Sequence, residues 1–293
     1  MFTYILAVVP ILLFFSDPIS QLFSPSAPRI RRLPRPQLNA DLLALEDNNN
    51  NNSVNYTCPH NPYTVHIYSR EPLVLYVENF LSPPERTHLL EISEPLYQPS
   101  TITHDAGKSQ QHDPAIRDSL VALVPRTETV RCVEDRARAL QGWQDQVWIE
   151  RLRVQRYAAG GHYAHHFDWS SGWGGWGRVG SFMVWVDDGS AGSGDGHGAK
   201  DGNGDGDAEG LVGGGTEFPL LRRKEDGRWC AFVECGEGVN GTVFKVVPGN
   251  AVYWENFRAD GTGRAYDETW HAGLPVEKGV KVGLNIWSWG RIE

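Results

Sequence analysis

No stretch of this 293-residue chain is apolar for long enough to read as a membrane span. The longest apolar run, FTYILAVVPILLFF at residues 2–15, is interrupted by Pro10 and closed by Asp17, whereas a spanning helix needs roughly 20 such residues. Positive charge is also short: 27 Lys and Arg stand against 36 Asp and Glu, a formal charge of −9. That balance argues against nucleic-acid binding, which needs a basic face. The N-terminal run has no Lys or Arg before it and no small-residue cleavage site after it. Residues 1–20 therefore read as a signal h-region, either cleaved or kept as an anchor that would hold the chain to a membrane. Cysteine is limited to Cys58, Cys132, Cys230 and Cys235.

What is present points to β structure. Hydrophobic residues make up 40% of the chain, enough for one substantial core. Many short apolar runs are separated by turn residues, and Gly and Trp are frequent, which suits antiparallel sheet better than helix. Acceptor sequons at Asn51, Asn55 and Asn240, beside the apolar N-terminus, favour an oxidising secretory compartment, the endoplasmic reticulum lumen or membrane. There the cysteines would pair. Cys230 and Cys235 flank the short segment AFVE and suit a local bridge, leaving Cys58 to Cys132, although four cysteines allow three connectivities.

Residues 21–70 hold RIRRLPRPQ and an asparagine tract, compositions that bury too little apolar surface to fold. They read as a disordered linker, with order setting in near Cys58. Residues 71–291 read as the folded domain. Within it, LVLYVENFLS alternates as a strand and ends at Ser82, followed by Pro83, Pro84 and Glu85. That is a helix start, with a helix expected through Leu89, Leu90, Ile92 and Leu96. A second helix is expected around Val130–Leu140, where Val133, Ala137 and Leu140 share a face. IERLRVQRY at 149–157 and SFMVWVDD alternate as strands. The Gly/Asp-rich residues 188–213 read as a disordered insertion. Its DGNGDGD string opens like a calcium loop but lacks a glutamate twelve positions from Asp201 and has no flanking helices. Several strands after two helices give an α+β, mainly β fold: a double-stranded β-helix, or jelly roll, with supporting N-terminal helices.

GGHYAHHFDW, residues 160–169, is the chemical centre. On an extended strand His166 and Asp168 point to one side, because side chains alternate faces. That is two thirds of a two-histidine, one-carboxylate triad, the arrangement that leaves iron(II) open positions. His271 in ETWHAGLPVEKGVKVGLNIW is the candidate third ligand. His162 and His165 crowd the same segment, but only His166 has the carboxylate two residues on. Lys281 shares a strand face with Gly283, Asn285 and Trp287, opposite Val282, Leu284 and Ile286. Either face suits a core, and if the Lys281 face is the inner one, the ammonium requires an anion.

Several motifs together carry a resemblance. ENFLSPPE, YAAGGHYAHHFD, GGGTEFP, PGNAVYWEN and HAGLPVEKGVK resemble, over about Pro72 to Trp289, the prolyl 4-hydroxylases of the 2-oxoglutarate and iron(II)-dependent dioxygenases. Gly161 stands where that family has glutamine, and Gly215 where it has glutamate. The resemblance makes His166, Asp168 and His271 the iron ligands. It makes Lys281 the partner of the distal 2-oxoglutarate carboxylate and Tyr157 a hydrogen-bond donor to the same co-substrate. It places Arg178 and Ser181 on an R-x-x-T position and implies oxygen as co-substrate and ascorbate as the reductant of the iron. The implied substrate is a proline residue in a peptide or protein, converted with release of succinate and carbon dioxide. Alternatives are the same chemistry on a free amino acid or small metabolite, and a catalytically silent jelly-roll binding module. Trp169, Trp173 and Trp176, spaced by glycines, suit either a mobile substrate lid or ordinary packing.

Overall fold

The computed structural model describes residues 34–35, 37–46, 56–104, 109–171, 174–190, 210–236 and 238–292. The expected signal or anchor segment, the sequons at Asn51 and Asn55, Trp173 and insertion residues 191–209, with the string at Asp201, lie outside these. Among the described residues no helix is long and apolar enough to cross a membrane.

Strands β1 (Thr64–Arg70) and β2 (Leu73–Glu78) precede helix α1 (Pro83–Ser93). Strands β3 (Gln98–Pro99), β4 (Ile102–His104), β5 (Ser109–Gln111), β6 (Arg117–Asp118) and β7 (Leu120–Leu123) lead to helix α2 (Glu128–Leu140). Next come β8 (Val147–Ile149), β9 (Arg153–Tyr157), β10 (His162–His166) and β11 (Trp176–Asp187). The chain ends with β12 (Val212–Gly213), β13 (Thr216–Phe218), β14 (Thr242–Phe244), β15 (Ala251–Glu255), β16 (His271–Gly273), β17 (Val276–Lys278) and β18 (Lys281–Arg291).

A major antiparallel sheet runs β1-β2-β15-β11-β18-β9-β7-β3, with β8 also on β18, and a minor sheet runs β14-β13-β16-β10-β6. This is the expected jelly roll. Period-two alternation gives the major sheet two buried faces. Val154, Phe182, Val184, Leu284 and Ile286 pack on one side with Leu89 of α1 and Val130, Val133 and Ala137 of α2. On the other side Tyr76, Met183, Trp185, Val252 and Trp254 meet Phe218 and Phe244 of the minor sheet.

The helices start where the sequence says. The Ser82 backbone N–H donates to Glu85 Oε2 at 2.8 Å, and the same buried carboxylate accepts from Arg136 Nη2 of α2 at 2.7 Å. One N-terminal glutamate therefore closes its own helix and ties it to the next. Helix α1 stops at Ser93, short of the expected Leu96, because Pro95 has no N–H to continue the ladder; Glu94–Leu96 form a 3-10 turn instead.

Two stretches inside the expected linker carry fold. Strand β1 pairs with β2 along its length, and Leu43 and Ala44 are buried. The Ala44 N–H donates to Ile149 O at 2.9 Å and the Arg151 N–H to Leu42 O at 2.8 Å. This added segment is why the single strand expected over 149–157 is two: Glu150 bridges to Leu43 between β8 and β9. The short apolar run Leu42–Leu45 inside a Pro- and Asn-rich stretch is too brief to show a periodicity, so the sequence conceals the contact. Cys58–Cys132 and Cys230–Cys235 are both disulfide-bonded, as expected.

Candidate metal centre

The site forms where β10 and β16 pair. His166 and His271 are direct cross-strand partners, and neighbours in an antiparallel ladder lie within reach of one another. Asp168 opens the 3-10 turn that follows β10. The ligand atoms of His166, Asp168 and His271 all lie within 4.8 Å of one another. His166 Nε2 is 3.7 Å from Asp168 Oδ1, and His271 Nε2 is 3.9 Å from Asp168 Oδ2.

Each ring is turned by a backbone carbonyl. His166 Nδ1 lies 2.8 Å from Ala164 O, and His271 Nδ1 lies 2.9 Å from Thr269 O. With the Nδ1 proton donated there, both Nε2 lone pairs face the gap, the outer-sphere pattern of a metal-ligating histidine. Tyr163 stacks on His166 at 3.7 Å between centroids, and Phe218 stacks on His271 at 5.4 Å. Burial, and then the neighbouring His271, hold the His166 pKa well below the ordinary imidazole range. Burial alone would raise Asp168, but the His271 and His166 rings, Arg178 and a hydrogen bond from Ser181 bring its carboxyl below the usual range. Neutral imidazoles and an ionised carboxylate are the forms that bind a cation.

The other two histidines are excluded by where they point. His165 is exposed, 2.8 Å from Glu217 and stacked on Trp270. His162 bonds only the Gly160 and Ala115 carbonyls among the described residues.

Beside the triad is a cavity of about 20 Å³ lined by Tyr157, Tyr163, Met183, Thr216, Trp254 and Asn285. Lys281 is buried at 1% exposure, directly opposite Tyr157 in the β9–β18 ladder. Its Nζ donates to Gly214 O at 2.6 Å, and it has no carboxylate partner among the described residues. Burial pushes its pKa down to about 7. Thr216 Oγ1 and Trp254 Nε1 are buried without hydrogen-bond partners. A buried ammonium and orphaned hydroxyl and indole groups around one cavity fit a small dicarboxylate. The volume holds little more than a water molecule, so the flexible Met183 side chain has to move for such an anion to enter.

The two departures in the motifs have steric reasons. A Cβ on Gly161 would lie 2.8 Å from Ala158 O and 3.0 Å from Asp118 O, and one on Gly215 would lie 2.8 Å from Val243 Cγ1. Neither position admits a side chain without backbone or core movement. Trp176 is no lid: it is buried at 3% in β11 against Trp148 and Trp289. Trp169 packs on Phe167. Arg178 forms a double hydrogen bond with Glu150 at 2.8 and 3.0 Å and lies 3.7 Å over the Trp287 ring. Ser181 faces the Asp168 carboxylate.

Sequence reasoning missed Arg117, Met183 and Thr216. Arg117 is 8% exposed, lies 4.6 Å over the Tyr163 ring and has an unpartnered Nη2. Its only signal was the cationic residue in the short strand pair AIRDSLVAL. Thr216 sits inside the quoted GGGTEFP motif, where alternation puts it on the same face as Phe218.

This jelly roll brings two histidines from paired strands and a carboxylate from the adjoining 3-10 turn together, the donor set that leaves iron(II) open positions. In sequence the chain is similar to Prolyl 4-hydroxylase subunit alpha-3 of Rattus norvegicus, 28% identical over 219 residues. That match covers 74% of this chain and 33% of the relative, so the chain spans about a third of that protein's length. No family model matches. Among solved structures, the viral collagen prolyl hydroxylase vCPH from Paramecium Bursaria Chlorella virus-1, as a 2OG complex, is 20% identical with a TM-score of 0.48, covering 74% of this chain and 96% of that one. A Pseudomonas putida prolyl-4-hydroxylase is 15% identical with a TM-score of 0.43, covering 79% and 93%.

Proposed function

We propose that the chain is a 2-oxoglutarate- and iron(II)-dependent dioxygenase that hydroxylates a proline residue in a peptide or protein. The observation that carries this reading is a metal-ligand set beside a buried cation. The ligand atoms of His166, Asp168 and His271 converge within 4.8 Å, and Lys281, opposite the cavity-lining Tyr157, is buried with no carboxylate partner among the described residues. His166, Asp168 and His271 would hold iron(II), and Lys281 with Tyr157 and Thr216 would hold the 2-oxoglutarate carboxylate. Once bound, these groups supply oxidative decarboxylation with oxygen, giving succinate, carbon dioxide and a hydroxylated C–H.

The chain's own residues prepare that chemistry. Ala164 O and Thr269 O fix the imidazole tautomers. Tyr163, Phe218 and Trp254 wall the ligand rings and exclude water. Lys281 neutralises the incoming anion at the closed end, and the Glu150–Arg178 pair braces Trp287. The homology to a prolyl hydroxylase supports proline as the target. The two disulfides and exposed Asn240 support a secretory location such as the endoplasmic reticulum, with ascorbate keeping the metal reduced.

The test is succinate release by the purified full chain with iron(II), 2-oxoglutarate, ascorbate and a proline-containing peptide. Peptide-dependent succinate with hydroxyproline in the product is expected. Turnover stimulated only by free amino acids would move the reading to a small-metabolite oxygenase. No metal-dependent turnover with any primary substrate would make the chain a binding module.

A further inference from the structure

A second cavity lies outside the metal centre, and the proposed reaction makes no use of it. It has a volume of about 350 Å³ and is lined by Leu45, Glu46, Arg138, Trp143, Asp145 and Trp148 among others. Its most conspicuous wall is Trp143. This side chain is 59% exposed, and its backbone sits at φ 54°, in the left-handed region just past the end of α2. Glycine and asparagine favour that position, and a bulky residue there is strained. A large aromatic held in a strained conformation and left open to water marks a contact surface rather than packing.

The chain itself shows what this surface takes. The Arg35 guanidinium carbon lies 5.5 Å from the centroid of Trp148, which lines the same cavity. Arg35 follows Pro34 in the sequence LPRPQ, so a Pro–Arg stretch already rests at the cavity edge. The charges agree. Asp145 supplies an exposed carboxylate, Glu46 being already held by Arg126 at 2.9 Å and by Arg131, and the opposing Arg138 is offset by Asp135 at 3.4 Å. Exposed indole rings are shelves for extended proline helices and for guanidinium groups.

The cavity wall packs on the strand that carries Ser181. Ser181 hydrogen-bonds Asp168 and so marks the level of the triad on β11. Trp176 lies five residues before it on the same strand, about 17 Å at the strand rise of about 3.4 Å per residue. Trp176 stacks on Trp289 at 5.4 Å between centroids, and Trp289 lies 6.1 Å from Trp148. Packed tryptophans thus connect the cavity wall at Trp148 to β11, the strand that carries Ser181.

We propose that the Trp143–Trp148 cavity is a docking site for an extended peptide strand bearing proline and arginine, in the same molecule whose target proline enters the metal centre. The docking stands on the cavity alone. Its role in turnover rests on the proposed hydroxylation.

The test uses the full chain and a fluorescein-labelled 12-residue peptide of alternating Arg and Pro, titrated in EDTA so that no turnover intervenes. Trp143→Ala and Asp145→Lys, both at exposed positions, should each weaken binding at least tenfold without lowering the melting temperature. Replacing the peptide's arginines by glutamate, or its prolines by glycine, should do the same. Equal affinity of Trp143→Ala, or equal binding of either altered peptide, would overturn the proposal. In turnover, Trp143→Ala should raise KM for the 12-residue substrate by a similar factor, with kcat and the rate on a four-residue proline peptide unchanged. Binding that depends on Trp143 in a chain without hydroxylase activity would leave the docking site standing and remove the proposed reaction. Hydroxylation whose KM for the long peptide ignores Trp143 would do the reverse.

Discussion

Lys281 and Tyr157 face each other across the β9–β18 ladder, with the lysine Nζ 5.3 Å from the centre of the tyrosine ring. No acid answers that ammonium among the described residues. The energetic consequence is a destabilised protein that an anion repairs, and it can be measured from both sides. Replacing Lys281 by Met removes a buried unpaired charge for a side chain of similar length. Such replacements are neutral or stabilising, whereas removing one partner of a buried pair costs about 3–5 kcal/mol. The melting temperature of the ligand-free Lys281→Met protein should therefore equal or exceed that of the wild type, while its affinity for 2-oxoglutarate falls at least a hundredfold. Calorimetry on both proteins reads the two effects together, and a variant that binds 2-oxoglutarate normally would remove Lys281 from the site.

The same lysine predicts a pH dependence. Burial lowers its pKa to about 7 in the ligand-free fold, from the ordinary value near 10.4. Between those limits the unfolded chain binds more protons than the folded one, so this group's penalty is complete below about 7 and fades as pH rises towards 10.4. Anion binding needs the protonated form. Above pH 7, 2-oxoglutarate binding should take up one proton and weaken by up to about tenfold per pH unit. Titration calorimetry in buffers of different ionisation enthalpy detects that proton, and it should vanish in Lys281→Met.

Removing a ligand has a different signature. Asp168→Ala or His271→Ala should abolish metal-dependent turnover, because each supplies one of three converging donors. Thermal stability should fall modestly, since the Asp168 carboxylate is held in its ionised form by the histidine rings, Arg178 and Ser181 and His271 packs between Phe218 and Trp254. Iron(II) titration monitored by melting temperature should raise the wild type and leave these variants unmoved. Retained succinate production in Asp168→Ala would overturn the triad.

Met183 controls space. It lines a cavity of about 20 Å³, too small for a dicarboxylate as it stands. Met183→Ala should enlarge the cavity and lower the stability by about 2–5 kcal/mol, while leaving 2-oxoglutarate affinity equal or tighter because the side chain no longer has to move. Weaker binding in that variant would show that the methionine supports the anion rather than blocking it.

The Cys58–Cys132 bridge closes a loop with a sequence separation of 74 and ties the chain before β1 to α2. A loop of that size corresponds to about 4 kcal/mol of unfolded-state entropy, about twice the effect of the Cys230–Cys235 bridge, whose separation is 5. Cys58→Ser with Cys132→Ser should accordingly lower the melting temperature more than the matching Cys230 and Cys235 pair.

How much was legible divides by type of signal. The jelly roll, the helix start at Ser82 and the His166–Asp168 pair came from alternation and capping residues, local patterns whose physics acts over a few residues. His271, 105 positions beyond His166, is assigned as the third ligand by the resemblance of its HAGLPVEKGVK motif. Which face of β18 is inner was not legible, because both faces are buried and hydrophobic pattern distinguishes only buried from exposed. The packing of Leu43 and Ala44 against Ile149 depends on partners a hundred residues away. Arg117 lacked any local mark. Its importance comes from Tyr163, which a ladder of two residues on each side brings beneath it.

Strand β18 also sets where the chain can change length. Pairing with β11, β9 and β8 leaves it no free edge along its course, and its odd and even positions serve different compartments. Asn285 lines the cavity beside the triad, Lys281 bonds Gly214 O and Trp287 lies under Arg178, while Val282, Leu284 and Ile286 pack in the layer that holds the helices. Adding or deleting one residue near its start would exchange the two sets at once, driving isoleucine and leucine into the anion site and the lysine into the apolar layer. Parity is thus an inherited constant of this segment.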